Sequence, residues 1–336
     1  MNSFILKDIN EFRESFPFGK ELSGSSFLIT GATGLIGSAL IRCITALDSG
    51  IQIYAPVRNM EKAQRLFGSY PNVCLIEGEL EKFDYSKLPA IDYIVHGAAP
   101  TASKYFVEKP VETINTIVST TNQLLDYASK TQIRSVVFLS SLEVYGQILE
   151  EKKIKEEDQG EVDITDIRSS YPLAKRLAEN LCCAYAKEYG VPVKIARLTQ
   201  TTGPGISKDD NRVIAQFVRR AVENQEIVLH TDGRSARAYC YITDAISATL
   251  YILLRGEDGE AYNVANEDTY ISARDLAYKI AELVNPNINI KFDIKDNMGY
   301  APTSYVDLST EKIRILGWNP RYSLNSIILY LANYLK

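Results

Sequence analysis

One stretch constrains this chain more than any other. The β-rich run Ser26–Thr30 passes straight into Gly31-Ala-Thr33-Gly34-Leu35-Ile36-Gly37, where a helical pattern begins. In a strand–turn–helix unit of this kind Gly31 permits the tight turn, Gly34 lets backbone amides approach a pyrophosphate, and Gly37 lets the helix pack close to the sheet. The free N–H groups at the helix start, including those near Leu35 and Ile36, and the helix dipole then face negative phosphates. The spacing is GxxGxxG rather than the GxGxxG of many dehydrogenases.

The chain beyond this turn fits the same architecture. Short apolar runs at 26–30, 51–57, 73–77, 93–96, 135–140 and 193–198 alternate with helical patterns beginning near Leu35, Met60, Val111 and Pro172. This alternation predicts an α/β fold, a Rossmann-type doubly wound parallel sheet. In the helix from Pro172, Leu173, Leu177, Leu181 and Ala184 repeat on one face and Gly190 is a natural stop. After Leu198 the texture turns loop-like and then less regular, with helices expected over 244–254 and 272–283 and strands over 262–265 and 288–292. The expected organisation is an N-terminal helical extension (1–25, with Ile5, Leu6, Ile9 and Phe12 on its packed face), a dinucleotide-binding domain (26–198) and a smaller C-terminal α/β substrate lobe (199–336).

Composition narrows the function classes. A net charge of −5 with no Lys/Arg run argues against nucleic acid, and no apolar stretch of about 18 residues exists to span a membrane. Five cysteines without CxxC spacing and only two histidines argue against a disulfide framework or a metal centre. The N-terminus lacks a long apolar core and carries acids early, so a cytoplasmic protein is expected.

The second strand bears on the cofactor. NAD calls for an acid about twenty residues beyond the glycines, on the ribose diol. Here Val57 stands at that place and Arg58 follows, a pair that suits a 2′-phosphate and tilts the choice between NAD and NADP towards NADP. Farther on, Glu79, next to Leu80, is positioned to accept from the adenine amino group.

Three features fall at carboxyl ends of successive strands, where open α/β sheets bind ligands. The fourth strand ends in His96-Gly-Ala98-Ala99-Pro100, small enough for a nicotinamide ring to lie against the backbone. The fifth ends in Ser140-Ser141-Leu-Glu143-Val-Tyr145-Gly, and Tyr171-Pro-Leu-Ala-Lys175 opens the long helix. A tyrosine and lysine at i, i+4 share one helical face. An ammonium at Lys175 would draw the Tyr171 phenol down from its usual value near 10, so that Tyr171 takes a carbinol proton while Ser141 holds the same oxygen.

With GATGLIG, HGAAP, SSLEVYG, YPLAK, RLTQTTGPG, RAYCYITD and LGWNP in that order, nearly the whole chain resembles the extended short-chain dehydrogenase/reductase family, specifically its NAD(P)-dependent sugar-nucleotide epimerases, dehydratases and decarboxylases. The resemblance implies a nucleoside-diphosphate sugar substrate, transient oxidation at sugar C4, and a homodimer packed through the Tyr171 helix and the helix near 111–129. It also implies that Gln200 stands where members place a substrate-binding asparagine, and that Arg212 and Arg237 resemble arginines of the substrate lobe.

The triplet Ser141-Leu142-Glu143 lacks the aspartate of the dehydratases and resembles the Ser-Glu of UDP-glucuronate decarboxylases, with Pro100 and Arg212 in keeping. Glu143 would then handle protons at a neighbouring carbon. Two departures stand against that subgroup: Lys295 is the one base between Phe292 and Lys312, with Tyr300–Tyr305 where an arginine is expected, and Ile117 occupies the register of a common asparagine. A net NADPH-dependent ketoreductase is the main alternative. A non-enzymatic dinucleotide sensor is a further one, disfavoured because both Tyr171 and Lys175 are kept.

Overall fold

The computed structural model describes residues 2–48, 50–101, 103–148, 151–294 and 303–336. Its strands are β1 (Ser26–Thr30), β2 (Gln52–Val57), β3 (Val73–Glu77), β4 (Tyr93–His96), β5 (Ser135–Ser141), β6 (Lys153–Ile154), β7 (Val193–Leu198), β8 (Gln200–Thr202), β9 (Ile227–Leu229), β10 (Ala236–Tyr241), β11 (Ala261–Val264), β12 (Asn266–Ser272), β13 (Ile290–Phe292) and β14 (Tyr305–Leu308). The helices are α1 (Ser3–Ser15), α2 (Leu35–Leu47), α3 (Met60–Phe67), α4 (Ser103–Glu108), α5 (Pro110–Ser129), α6 (Ser170–Tyr189), α7 (Val213–Val222), α8 (Ile242–Arg255), α9 (Ala273–Val284), α10 (Glu311–Ile315) and α11 (Leu324–Leu335).

Seven strands form one parallel sheet in the order β11-β7-β5-β4-β1-β2-β3. The chain runs outward from β1 through β2 to β3, then returns to the other side of β1 for β4, β5 and β7. Order therefore reverses between β1 and β4, which opens a crevice beyond their carboxyl ends. The inner strands are largely buried because helices cover both faces, while β3 at the edge is partly exposed. Phe27, Ile29 and Ile53 pack under α1, α2 and α8, and Leu28, Ile94 and Val136 pack under α5 and α6. A second sheet, β12-β10-β14-β6 with β8 alongside β10, stands at the carboxyl end of β7.

The expected strands match to within a residue, except that the one expected over 288–292 begins at Ile290, and three other expectations need correction. The division near residue 199 is not a clean cut, because β11 from beyond it completes the large sheet beside β7. In α1 the buried face is Asp8, Ile9 and Phe12, while Leu6 is exposed. In α6 the buried residues include Tyr171, Ala174, Lys175, Ala178, Glu179 and Cys182, and Leu177 of the leucine stripe faces outward. The helix turns its polar pair inward because Lys175 and Glu179 find partners at the sheet end, and Gly190 closes it in a left-handed conformation (φ 66°).

Among the described residues no helix is long and apolar enough to cross a membrane.

Candidate active site

The glycine turn is built as tightly as its spacing requires. Gly31 has φ +71°, and a Cβ there would lie 2.6 Å from the Gly97 carbonyl oxygen at the end of β4. A Cβ on Gly37 would lie 2.3 Å from the Gly31 carbonyl oxygen. Gly34 is the N-cap of α2, which leaves the first amides of that helix, at Leu35, Ile36 and Gly37, without helical partners. Thr33 to Ile36 remain accessible while Gly37 is buried. The turn thus presents unpaired donors at a helix N-terminus, directly over the switch in strand order, and it fits a dinucleotide pyrophosphate.

The β4 end is held against β1 through side chains. Thr30 Oγ1 pairs with His96 Nδ1 at 2.7 Å and accepts from the Gly97 and Ala98 amides at 3.1 and 3.2 Å. His96 also meets Thr121 at 3.1 Å, and burial pushes its imidazole down to about 3. It is therefore a neutral structural histidine. Ala98, Ala99 and Pro100 follow as a half-buried ledge beside the glycine turn. Arg58, at the end of β2, is exposed and has no hydrogen-bond or ion-pair partner among the described residues. Leu80 is buried, and Glu79 is an exposed acid paired with Lys82 at 3.1 Å.

Ser141, Glu143, Tyr171 and Lys175 come together at the end of β5. Ser141 closes the strand, and its Oγ accepts from the Glu143 amide at 3.2 Å and reaches the Tyr171 phenol. Lys175, one turn along α6 from Tyr171, is buried beneath it. Its Nζ donates to the Leu139 carbonyl at 2.6 Å and lies 4.4 Å from the Phe138 ring centroid. Burial pulls this ammonium down to about 8, against the opposing charge of Glu179.

The electrostatics of Tyr171 depart from the expectation. Burial pushes the phenol above its ordinary value, the Glu143 charge adds to that, and the Ser141 bond and Arg168 act in the other direction. Two placements explain why Lys175 does not dominate: its ammonium is engaged by a main-chain carbonyl, and Phe106 lies flat over the phenol ring at 4.3 Å.

The spacing of motifs did not reveal several partners. Arg168 Nη2 donates to Glu143 Oε2 at 2.9 Å and its guanidinium sits 5.0 Å above Phe106. Beneath the site Glu179 accepts from Ser140 at 2.5 Å and from Arg197 at 2.7 Å, and Arg197 also donates to the Tyr145 hydroxyl at 2.9 Å. Arg168 lies three residues before Tyr171, which is the one sequence signal that could have placed it near the site. Phe106 gives none.

The expected substrate residues gather on the second sheet. Gln200 lies on β8 opposite Tyr239 of β10, two residues beyond Arg237. Arg212 donates to Asp210 at 2.6 Å and also to the Thr201 carbonyl. Arg237 is tied to Ser304 by main chain (2.7 Å) and side chain (2.5 Å). Burial pulls the Arg237 guanidinium below its ordinary value while the Glu143 charge acts the other way, so Arg237 lies within electrostatic reach of Glu143. Lys295 and Tyr300 lie outside the described residues.

Residues 27–265 match the NAD dependent epimerase/dehydratase family. The chain belongs to that family. It is 30% identical over 305 residues to UDP-glucuronic acid decarboxylase 5 of Arabidopsis thaliana, covering 90% of this chain and 86% of that protein. Its fold is similar to that of Thermotoga maritima UDP-glucose 4-epimerase, solved with UDP-glucose, at a TM-score of 0.80 and 21% identity over 92% of this chain and 98% of that one. The UDP-glucuronic acid 4-epimerase of Bacillus cereus, solved with UDP-glucuronic acid and NAD, gives a TM-score of 0.79 at 21% identity and the same coverage. As a member of the family, the chain is a nicotinamide-dinucleotide-dependent enzyme with a Rossmann fold.

Proposed function

We propose that this enzyme remodels a nucleoside-diphosphate sugar through transient oxidation at C4, with a UDP-uronic acid as the favoured substrate. The observation that carries the reading is the convergence of Ser141, Tyr171, Lys175 and Glu143 at the end of β5, beside the glycine turn. The residue 31–37 turn and the Ala98–Ala99 ledge would hold a dinucleotide, which would supply the hydride acceptor and a positive ring. Tyr171 takes the proton from the carbinol oxygen as hydride leaves its carbon, and Ser141 fixes that oxygen. Lys175 holds the sheet end through Leu139 and keeps its ammonium 6.0 Å from the Tyr171 ring centroid.

The ketone so formed weakens bonds at the neighbouring carbon, where Glu143 moves a proton. Hydride return then restores a carbinol. A carboxylate on the neighbouring carbon would leave as carbon dioxide, which is why the similarity to UDP-glucuronic acid decarboxylases directs the choice of substrate. Gln200, Arg212 and Arg237 line the side of the second sheet from which the diphosphate would be held.

A net reductase is the second reading, favoured by one observation: Arg58 is unpartnered among the described residues where a 2′-phosphate would sit. We infer a homodimer through α5 and α6, whose outward faces expose Val111, Ile114 and Leu177. The five free cysteines suit a cytoplasmic setting.

The deciding experiment incubates the protein with UDP-glucuronate and with a panel of UDP-, CDP-, GDP- and dTDP-sugars, reading products by mass and NMR. Loss of carbon dioxide from UDP-glucuronate is expected. No change in any sugar nucleotide, with full binding of dinucleotide, would overturn the reading. Oxidised dinucleotide retained through purification would count against the reductase.

A further inference from the structure

We propose that Arg168 is a positioning residue for the reaction, a clamp that aims the Glu143 carboxylate at the sugar. The inference rests on the proposed C4 oxidation, because Glu143 has work to do only if a proton moves at the carbon beside the oxidised one.

Glu143 lies in a short 3-10 turn (142–145) immediately after β5, and its side chain is partly open to solvent. A carboxylate there has rotamer freedom unless something holds it. Arg168 Nη2 donates to Oε2 at 2.9 Å across 25 residues of chain. The guanidinium is anchored over the Phe106 ring, 5.0 Å from its centroid. The main chain that carries it is held separately: the Arg168 backbone amide donates to Asp166 Oδ1 at 2.9 Å in the turn that leads directly into α6 and Tyr171. Arg168 therefore shares one rigid frame with Tyr171, and it passes that frame to Glu143. Both partners are about one-third exposed (35% and 31%), a setting in which ion pairs contribute little to stability. The benefit of the pair is geometric: a proton carrier must lie within hydrogen-bond reach of its target.

The test is a double-variant cycle on kcat with UDP-glucuronate, using Arg168→Gln, Glu143→Gln and the pair. Arg168→Gln is expected to lower kcat by about 10- to 100-fold, the range for losing a bond to a charged group, with KM changed by less than about threefold. The pair should be no slower than Glu143→Gln alone, since Arg168 acts through Glu143. Arg168→Lys should recover part of the loss. Losses that multiply in the pair, or an Arg168→Gln enzyme with wild-type kcat, would overturn the clamp. Should the wild type itself fail on UDP-glucuronate, the proposed function falls separately. Crystal structures of the wild type and Arg168→Gln still decide the clamp: Glu143 must leave its position in the variant, and a carboxylate that stays put refutes it.

Discussion

The Phe106 ring lies flat against the Tyr171 ring, with centroids 4.3 Å apart and planes 8° from parallel. Both rings are buried, and Phe106 comes from the short helix α4 that follows the β4 ledge. The stack fixes the plane of the phenol while removing water from one side of it. That burial is also the first cause of the raised phenol.

Phe106→Leu tests this relationship with side-chain bulk largely kept. Loss of the aromatic pair should cost about 0.5–1.5 kcal/mol of stability beyond area effects. A phenol free to tilt should lower kcat by roughly 10-fold, since small misplacements of reacting groups are expensive. Thermal unfolding and steady-state kinetics on one preparation check both. Unchanged kcat in a destabilised protein would confine Phe106 to packing.

Gly37→Ala tests the cradle. The added Cβ would meet main-chain atoms, Gly31 O at 2.3 Å and Gly31 C at 2.8 Å, which cannot swing aside as a side chain would. Helix α2 must shift away from the turn, at a cost of about 1–3 kcal/mol. Its amides then lose their aim at the pyrophosphate. Fluorescence titration with NAD should show at least a roughly 10-fold weaker complex, the scale of one or two lost charge-assisted bonds. Undiminished affinity would place the dinucleotide elsewhere.

Arg58→Ala separates the two dinucleotides. A guanidinium on the 2′-phosphate is worth a charge-assisted bond, so the Kd for NADP should rise by about 10-fold or more while that for NAD stays within about twofold. Calorimetric titration of both ligands measures the ratio. Equal effects would show that Arg58 does not read the 2′ position.

Legibility in the sequence followed the range of the interaction. β1 and β4 were readable to the residue because a strand buried on both faces is a short apolar run between turn signals; β3, a partly exposed edge strand, and β7, which carries Lys194 and Arg197, were readable from their β-branched residues and flanking turns. The Ser141, Tyr171 and Lys175 set was readable because Tyr171 and Lys175 lie a helical turn apart and the serine ends a strand. Arg168 and Phe106 were not, since their roles depend on how α4 and the turn before α6 fold over the β5 end. The return of β11 to the large sheet, some sixty residues after β7, and the pairing of β6 with β14 likewise leave no local pattern. The leucine stripe of α6 misled for a different reason. Hydrophobic periodicity finds an apolar face, and it does not say whether that face covers the chain's own core.

Asp8 predicts how stability depends on pH. It lies on the buried face of α1, where the Tyr241 hydroxyl contacts both carboxylate oxygens at 2.9 Å. Burial pushes its carboxyl up to about 7, although the Tyr241 bond works the other way. The folded value stands above the unfolded one, about 4, so folding favours the protonated acid. That contribution is complete below about pH 4 and is lost as pH rises through about 7. At about pH 8 the buried carboxylate is charged and destabilises the docking of α1 onto β10. Asp8→Asn keeps an acceptor for Tyr241 without the charge, so it should raise stability at about pH 8 by roughly 1–3 kcal/mol and leave stability at about pH 4 almost unchanged. Urea unfolding at the two pH values measures the difference directly. A stabilisation of equal size at both would mean that the Asp8 carboxyl does not titrate between them.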